Sequence, residues 1–241
     1  MAFFQDPPVL DNQFRTDRVL RHYLERRAEG AARAEIETSL DRMGALAGGE
    51  LWRLTVEGRR DEPELIQWNP WGARVDEIRV PAAWERFAEV AATEGVVATG
   101  YERRTGALSR IHQFALVYLF DPSSSVYTCP LAMTDGAAKT LTLHAEPAMR
   151  DRIVARLIDR DPATAWTSGQ WMTERTGGSD VGLTETVARE TSEGWRLYGD
   201  KWFTSATTSQ VTLTLARPEG NGPGGKGLAM FCVELRGPDG A

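Results

Sequence analysis

The chain has 241 residues, of which 41% are hydrophobic and 26% are charged, and its formal net charge is −6. These values are typical of a soluble globular protein with enough apolar side chains for one large or two modest domains. The acidic balance argues against nucleic-acid binding. No apolar stretch approaches the length of a membrane span, and the N-terminus lacks the basic region and long apolar core of a signal peptide. We therefore expect a cytoplasmic protein without a membrane partner.

Helical periodicity runs through the first two-thirds of the chain. Apolar residues recur there at spacings of three and four, which is the pattern of a helix with one buried face. The pattern predicts helices over residues 17–29, 32–47, 50–57, 107–120, 130–144 and 148–159. Thr16 or Asp17 would cap the first of them. A further helix carries Trp84 and Phe87, and Pro81 suits its first turn.

Two parts of this helical region stand out. Residues 61–81 contain three prolines and no helical pattern, so we expect a non-helical passage there. The helix at 107–120 is apolar around nearly all its girth, as a central helix of a bundle would be. His112 lies on that helix, and we predict a core histidine with satisfied hydrogen bonds rather than a proton shuttle.

The periodicity changes near Pro162, after which Gly, Thr and β-branched residues increase. Residues 184–203 predict a β-hairpin that turns near 192–194, and alternation over 211–215 and 231–235 predicts two more strands. The Gly- and Pro-rich residues 218–227 predict a hairpin loop, since a phosphate loop would end in GK[ST] and open a helix. The predicted fold class is α+β, with an N-terminal all-α helical domain over 1–162 and a small β-barrel or β-sandwich domain over 163–241.

The cysteines and histidines do not form a metal-binding pattern. Cys129 and Cys232 are far apart and lack CxxC spacing, and the three histidines are isolated. Both cysteines have apolar neighbours. We therefore expect no metal site and two buried free thiols in a reducing compartment.

The segment WMTERTGGSD, residues 171–180, is the most informative part of the sequence. Gly177 and Gly178 allow the backbone to come close to a ligand, because glycine has no Cβ and tolerates positive φ. Thr173 and Ser179 offer hydroxyls, and the amides of the loop can face an anion such as a diphosphate. The segment thus has the groups that a phosphate-bearing ligand needs, although a GGSD segment is more commonly an ordinary turn.

A second segment, GDKWFTS at 199–205, follows about twenty residues later. It adds the aromatic pair Trp202 and Phe203 and the hydroxyls of Thr204 and Ser205. A WF pair in a strand is usually part of the core. The two segments together, however, would suit a flat, polar-edged heterocycle that carries phosphates.

In this order and at this spacing, the two segments resemble the flavin-binding middle domain of the acyl-CoA dehydrogenase family. The family signature is an aliphatic residue, Thr or Ser, Glu, two variable residues, then small-Gly-Ser-Asp, and residues 172–180 fit it position by position. The flanks depart from it, because Trp171 and Leu183 stand where small residues are usual. Residues 63–84, CPLAMT at 129–134 and KWFTS at 201–205 resemble the AidB-like branch of the family.

The resemblance implies a non-covalent FAD. On the matching positions, Thr173 would offer its hydroxyl to the pyrimidine edge of the flavin and Ser179 would lie near the diphosphate. Phe203 would stand beside the ring, and Ser205 would offer a hydroxyl to N5, where a donor supports negative charge on the reduced ring. The residues implied to contact the cofactor are Gln170, Trp171, Met172, Thr173, Gly177, Gly178, Ser179, Phe203, Thr204 and Ser205.

The reaction that the resemblance implies is α,β-dehydrogenation of an acyl-CoA thioester. A glutamate removes the α-proton while the β-hydrogen passes as hydride to flavin N5. In this family that glutamate belongs to a C-terminal helical domain, so we expect a truncated enzyme with no catalytic residue of its own. The missing C-terminal helical domain, or a second chain, would supply the base, and the family's usual state implies a homo-oligomer, a tetramer.

Two acidic residues inside the motif are predicted to be structural. Glu174 has a structural role in the family, and we do not assign it as a base. Asp180 is expected to fix the loop through Asx-type bonds to nearby amides.

Two other functions stay open at this point. The chain could be an AidB-like flavoprotein with a binding role in the alkylation response and an association with DNA, although its acidic balance makes DNA contact unlikely for this portion. It could also be a catalytically inactive, truncated scaffold without a cofactor.

Overall fold

The computed structural model describes residues 3–6 and 8–235, which fall into two compact units. The helical unit comprises the described residues up to Thr128 together with Ile158–Ala165. The sheet unit comprises Cys129–Leu157 and the described residues from Trp166 onward. None of the helices formed by these residues has the length and apolarity needed to cross a membrane.

The helical unit has seven α-helices, two short 3-10 helices and one hairpin within its described part. Its elements are α1 (Gln13–Thr16), α2 (Arg18–Arg27), α3 (Gly30–Gly48), α4 (Glu50–Glu57), β1 (Glu64–Trp68), β2 (Arg74–Arg79), α5 (Ala82–Thr93), α6 (Thr99–Glu102) and α7 (Ser109–Phe120). The helices predicted from periodicity in this region are confirmed. Asp17 caps α2, since its carboxylate accepts a hydrogen bond from the amide of Leu20 at 2.8 Å. Pro81 precedes the first helical residue of α5 and serves as its N-cap.

Small residues on α3 allow the N-terminal segment to pack closely against it. A Cβ added at Gly44 would lie 2.2 Å from Oδ1 of Asn12, and one added at Gly48 would lie 2.0 Å from the carbonyl oxygen of Asp11. Asn12 in turn caps α1 by accepting hydrogen bonds from the amides of Phe14 and Arg15. The glycines of α3 are therefore packing residues, and they bring a capped turn against the helix.

The core of the helical unit contains an aromatic cluster. The rings of Trp84 and Tyr127 lie 4.7 Å apart in an edge-on arrangement, and Phe87 and Phe120 complete the group. Burial of Tyr127 raises the pKa of its hydroxyl to about 12. Edge-on pairs of this kind add to the stabilisation that comes from burying the rings.

The passage at 61–81 is non-helical, as predicted, but it also forms an antiparallel hairpin. Strand β1 pairs with β2, Glu64 opposite Arg79, with an irregularity between Ile66 and Trp68. Most of its side chains are exposed, including Trp71 at 88%. The prolines lie outside both strands, where they cost no ladder hydrogen bond, and this is why they do not prevent pairing.

The sheet unit combines two helices with a five-stranded mixed sheet. Its elements are α8 (Thr128–His144, in this unit from Cys129), α9 (Pro147–Leu157), β3 (Ser168–Trp171), β4 (Val187–Thr191), β5 (Gly194–Tyr198), β6 (Val211–Pro218) and β7 (Ala229–Glu234). The strand order is β3-β6-β4-β5, with β7 also paired to β6. β6 is parallel to β3 and β4 and antiparallel to β7, while β4 and β5 are antiparallel.

Strand β6 is the centre of this sheet. Thr212 and Thr214 are buried like their apolar neighbours, because β6 is covered on both faces. The hairpin of β4 and β5 turns at residues 192–193, and residues 218–227 connect the antiparallel strands β6 and β7, so both hairpin predictions are confirmed.

Side chains tie α8 and α9 to the sheet. The hydroxyl of Thr134 on α8 accepts a hydrogen bond from the amide of Ser168 at 3.0 Å. Arg152 on α9 makes a two-point ion pair with Glu234 on β7, at 2.7 and 2.8 Å. The two helices therefore belong with the strands in compactness, although they precede them in sequence.

The prediction of two buried thiols is wrong for Cys129, and Cys232 is only half-buried. Cys129 is exposed, whereas its neighbours Pro130 and Leu131 are buried. It lies near the start of α8, and successive residues of a helix are about 100° apart, so one of them can point outward beside two that point inward. Cys232 is half-buried, and burial raises the pKa of its thiol to about 11.

Candidate functional site

The predicted motif forms a loop that leaves the end of β3. Gln170 and Trp171 are the last residues of that strand, and a tight turn follows in which Glu174 and Gly177 exchange backbone hydrogen bonds at 3.1 and 3.0 Å. Gly177 adopts a φ of +127°, which favours glycine. The strand thus delivers the motif to the surface, and the glycine allows the chain to turn back on itself.

The carboxylate of Glu174 anchors the turn to neighbouring segments of the sheet unit, and this residue is only 4% exposed. Its oxygens accept hydrogen bonds from the amide of Glu185 at 2.6 Å, from the amide and hydroxyl of Thr186 at 3.2 and 2.5 Å, and from Nζ of Lys201 at 2.6 Å. The ammonium group of Lys201 also donates to the carbonyl of Leu215 at 2.7 Å. Both charged groups are therefore largely removed from solvent, and each has more than one hydrogen-bond partner.

The electrostatics of this pair follow from two opposing effects. Burial by itself would raise the pKa of Glu174, but the hydrogen bonds from Lys201, Thr186 and the amide of Glu185 outweigh it and lower the pKa. The carboxylate is therefore charged at neutral pH and occupied by donors. It is a structural anchor, as predicted, rather than a free base.

The two motif segments lie together. The amide of Trp202 donates to the carbonyl of Thr173 at 2.9 Å, and Lys201 bridges back to Glu174 in the first segment. Nε1 of Trp171 donates to the carbonyl of Ser205 at 3.2 Å. Separate parts of the sequence thus form one surface, as their combination predicted.

Phe203 is the most unusual residue on this surface. Its side chain is 80% exposed, and its φ is +52°, a left-handed conformation that is uncommon for an aromatic residue. Its ring stands 5.9 Å from that of Trp202, which is 52% exposed. An exposed aromatic residue held in a strained backbone conformation is a feature of ligand sites.

Four hydroxyls of the two segments are available. Within residues 3–6 and 8–235, the side chains of Thr173, Ser179, Thr204 and Ser205 make no hydrogen bond, and all four are half-buried or exposed. Gln170, Gly177 and Gly178 are exposed on the same segments, and Met172 is half-buried. This is a surface with unused donors and acceptors beside exposed aromatic rings.

Gly178 is needed for steric reasons. A Cβ added to it would lie 2.5 Å from Oγ1 of Thr173 and 3.2 Å from its Cβ. A Cβ at Gly177 would meet nothing within 4 Å. The first glycine therefore serves the backbone, and the second makes room for the hydroxyl of Thr173.

The end of the motif is also fixed. Oδ1 of Asp180 accepts a hydrogen bond from the amide of Gly182 at 2.9 Å, so the predicted Asx-type bond is confirmed. Arg217 donates to the carbonyls of Gly182, Gly222 and Gly224 at 2.5–3.0 Å, and so joins this turn to the hairpin loop.

Sequence reasoning missed three residues that build the site, namely Lys201, Thr186 and Arg217. Only Lys201 could have been found from the sequence, since it is one of three lysines in an arginine-rich chain and lies within the second motif segment, 199–205. Nothing in the sequence shows that Thr186 and Arg217 contact the motif.

The prediction for His112 needs correction. It is buried, as expected, but its Nε2 has no hydrogen-bond partner in the described part of the chain, so it is not a satisfied core histidine. Burial, opposed by Glu35, lowers its pKa to about 4. No cluster of three or more His, Cys, Asp or Glu among the described residues could hold a metal ion.

Comparison with known protein families matches nearly the whole chain in two segments. Residues 5–161 match the N-terminal domain of the adaptive response protein AidB, and residues 169–241 match the middle domain of acyl-CoA dehydrogenases. A curated relative, acyl-CoA dehydrogenase family member 11 of Caenorhabditis elegans, is 39% identical over 99% of this chain and 40% of its own length.

Two solved structures are similar along the same residues. The apo form of Bd2924 superposes with a TM-score of 0.95 at 47% identity and covers 99% of this chain and 49% of that one. Caenorhabditis elegans ACDH-11 in complex with C11-CoA superposes with a TM-score of 0.92 at 38% identity. The match covers 99% of this chain and 42% of the ACDH-11 chain. The chain therefore spans between two-fifths and half of the length of these relatives. With its motif, its fold and both segment matches, the chain belongs to the acyl-CoA dehydrogenase family, in the AidB-like branch.

Proposed function

We propose that this chain provides the flavin-binding surface of an FAD-dependent acyl-CoA dehydrogenase. The observation that carries the proposal is the surface formed by 170–179 and 202–205, which presents the exposed ring of Phe203 and four hydroxyls that have no hydrogen bond to any described residue. A flat ring with a polar edge and a phosphate tail has the chemistry that such a surface can bind. The domain assignment, helical over 1–162 and flavin-binding over 163–241, belongs to the same proposal.

The residues present fit a flavin. Thr173 would hold the pyrimidine edge, Ser179 would lie near the diphosphate, and Met172 and Gly178 would contribute backbone groups. Phe203 and Ser205 would face the ring, and Gln170, Trp171, Gly177 and Thr204 complete the set. When bound, FAD supplies the hydride acceptor for oxidation of the acyl-CoA thioester between its α and β carbons.

Two further residues, Glu174 and Lys201, would position the flavin-contacting residues. Glu174 and Lys201 fix the turn so that the hydroxyl of Thr173 is held on a rigid backbone, and rigid support of this kind is what a cofactor site needs. We assign no residue of this chain as the catalytic base.

The proposed substrate is an acyl-CoA. The support is the C11-CoA bound to Caenorhabditis elegans ACDH-11, which is similar over 99% of this chain. A homo-oligomeric state and a cytoplasmic location are part of the same proposal. A DNA-associated role in the alkylation response is not favoured by any of these contacts.

The test is a titration of the purified chain with FAD, followed by flavin fluorescence and absorbance. We expect saturable binding that weakens about tenfold in Thr173→Ala and in Ser205→Ala, as loss of one hydrogen bond predicts. Ser192→Ala, in the exposed turn between β4 and β5, is the matched control and should bind like the parent.

The flavin-loaded chain is then mixed with an acyl-CoA. Bleaching of the flavin absorbance would show that the chain supports the reductive half of the reaction. Binding that is equal in all three variants would remove Thr173 and Ser205 from the site, and no binding by the parent chain would overturn the proposal for this chain.

A further inference from the structure

The helical unit contains a polar cavity that the proposed flavin surface does not use. Its volume is about 440 Å³, many times the roughly 30 Å³ that one water molecule occupies in the liquid. Seven of its eight lining residues have side chains that can hydrogen-bond; the eight are Ala34, Glu35, Thr38, Ser39, Arg42, Arg104, His112 and Arg160.

His112 is the first indication that this cavity binds something. The residue is 4% exposed, it lines the cavity, and its Nε2 is a buried atom without a hydrogen-bond partner in the described residues. A buried polar atom in this state destabilises a fold by about 1–3 kcal/mol, so such atoms are rare in native proteins. A ligand in the cavity would give this nitrogen its partner.

Two of the three arginines, Arg42 and Arg104, are the second indication. Arg42 uses Nε and Nη2 on Glu94, and Arg104 uses Nε on Glu35. A guanidinium group has five N–H donors, so each of these arginines keeps further donors for a ligand. Their side chains are 55% and 69% exposed, and ion pairs at such exposure contribute little, so a ligand can share these cations at small cost.

Arg160 is held more firmly. It makes a two-point pair with Glu102 at 2.6 and 2.9 Å and also donates to the hydroxyl of Thr99 and the carbonyl of Thr93. Arg160 is therefore a fixed element of the cavity wall whose charge is balanced by Glu102, while Arg104 and Arg42 are the adaptable arginines.

Donor groups decide the class of ligand. Each guanidinium group of the wall is balanced by one carboxylate, Arg42 by Glu94, Arg104 by Glu35 and Arg160 by Glu102. Of the eight lining residues, however, three carry several N–H donors and one, Glu35, carries a carboxylate. Thr38 donates its hydroxyl hydrogen to the carbonyl of Ala34, and Ser39 is buried. A wall with more donors than acceptors disfavours a metal cation and favours an oxyanion.

We propose that this cavity is a binding site for a phosphate-class oxyanion, held by the free N–H groups of Arg42 and Arg104 and by Nε2 of His112. The site shares no residue with the proposed flavin surface and does not depend on it. Arginine forks match carboxylate and phosphate oxygens alike, but a phosphate has the additional oxygens and charge that contacts with two arginines and a third donor require, which makes it the preferred oxyanion over a single carboxylate.

The test is a titration of the full chain with inorganic phosphate at fixed ionic strength, followed by the imidazole NMR signals of its three histidines. We expect a saturable shift of the His112 signals, with those of His22 and His144 unchanged. Arg104→Gln should weaken binding about tenfold, since one charge-assisted contact is lost. Arg79→Gln, an exposed and ion-paired arginine on β2, is the matched control and should bind like the parent.

Three outcomes would overturn the proposal. In the first, phosphate leaves His112 unchanged, which means that the cavity holds water alone. In the second, Arg79→Gln weakens binding as much as Arg104→Gln, which means that the effect is general charge. In the third, acetate at the same ionic strength shifts His112 as strongly as phosphate does, which means that the assigned ligand class is wrong.

Discussion

Glu174 in the sheet unit and His112 in the helical unit are equally buried, each 4% exposed, but they differ in their hydrogen-bond partners. The carboxylate of Glu174 accepts hydrogen bonds from three residues, one of which donates from an ammonium group, whereas Nε2 of His112 has no partner in the described residues. Burial of a polar group by itself therefore does not show whether the group is structural or binds a ligand. A polar group whose partners are complete supports a loop, and a polar group that lacks one points to a ligand.

The largest expected effect comes from breaking the complete network. Lys201→Met should destabilise the chain by about 3–5 kcal/mol, because it leaves the Glu174 carboxylate charged and buried without its counter-ion. Equilibrium urea unfolding measures this. Lys226→Met, an exposed lysine of the hairpin loop, is the control and should change stability by less than about 0.5 kcal/mol.

A double change refines this prediction. Adding Glu174→Gln to Lys201→Met removes the unpaired charge, so the double variant should be more stable than Lys201→Met. A cost below about 1 kcal/mol for Lys201→Met would show that the pair does not anchor the turn.

His112 predicts a pH dependence. Its folded pKa of about 4 is below the ordinary value of 6.5, so the unfolded chain takes up this proton first as the pH falls. Stability should therefore decrease from about pH 6.5 down to about pH 4, by about 3 kcal/mol in total. Urea unfolding at a series of pH values measures the slope.

The groups that act on His112 are Glu35, Glu102, Arg42 and Arg160, and all of them remain in the variant His112→Asn. The variant should therefore show a flatter profile between pH 6.5 and 4, and His144→Asn, at the exposed end of α8, should follow the parent. An identical slope in parent and His112→Asn would contradict the assignment.

Two glycines of the sheet unit should respond with opposite signs to the same change. Gly178→Ala should destabilise by about 1–2 kcal/mol, because the new Cβ meets the side chain of Thr173 at 2.5 Å. Gly136→Ala, on the exposed side of α8 with nothing within 4 Å, should stabilise by about 0.5–1 kcal/mol through helix propensity. Thermal unfolding compares them, and effects of equal sign would mean that Thr173 moves aside freely.

The smallest expected effect is a difference in reaction rate between the two thiols, and it does not require any change in stability. At pH 8 only about one thousandth of Cys232 is thiolate, given its pKa of about 11. A thiol reagent should therefore label exposed Cys129 first, and Cys129→Ser should remove the fast phase. A fast phase that survives in Cys129→Ser would show that Cys232 is more accessible than its burial indicates.

The longer helices, the two β-hairpins of the sheet unit and the family could all be predicted from the sequence, whereas the short helices α1 and α6 could not. Each of these depends on local information: apolar spacing fixes a helix, Gly-rich turns fix a hairpin, and residues 172–180 match a contiguous signature. The role of Asp180 was also local, since its bond reaches only two residues along the chain.

Tertiary structure decided the rest, because the contacts involved join residues that are distant in sequence. The partners of Glu174 come from 185–186 and 201, and the hairpin at 64–79 forms despite its prolines. The cavity of the helical unit brings together residues from 34 to 160, and only this packing shows that Nε2 of His112 has no partner among the residues that the structure describes. Periodicity predicts that a residue is buried, but only the packed chain determines whether a hydrogen-bond partner is buried with it.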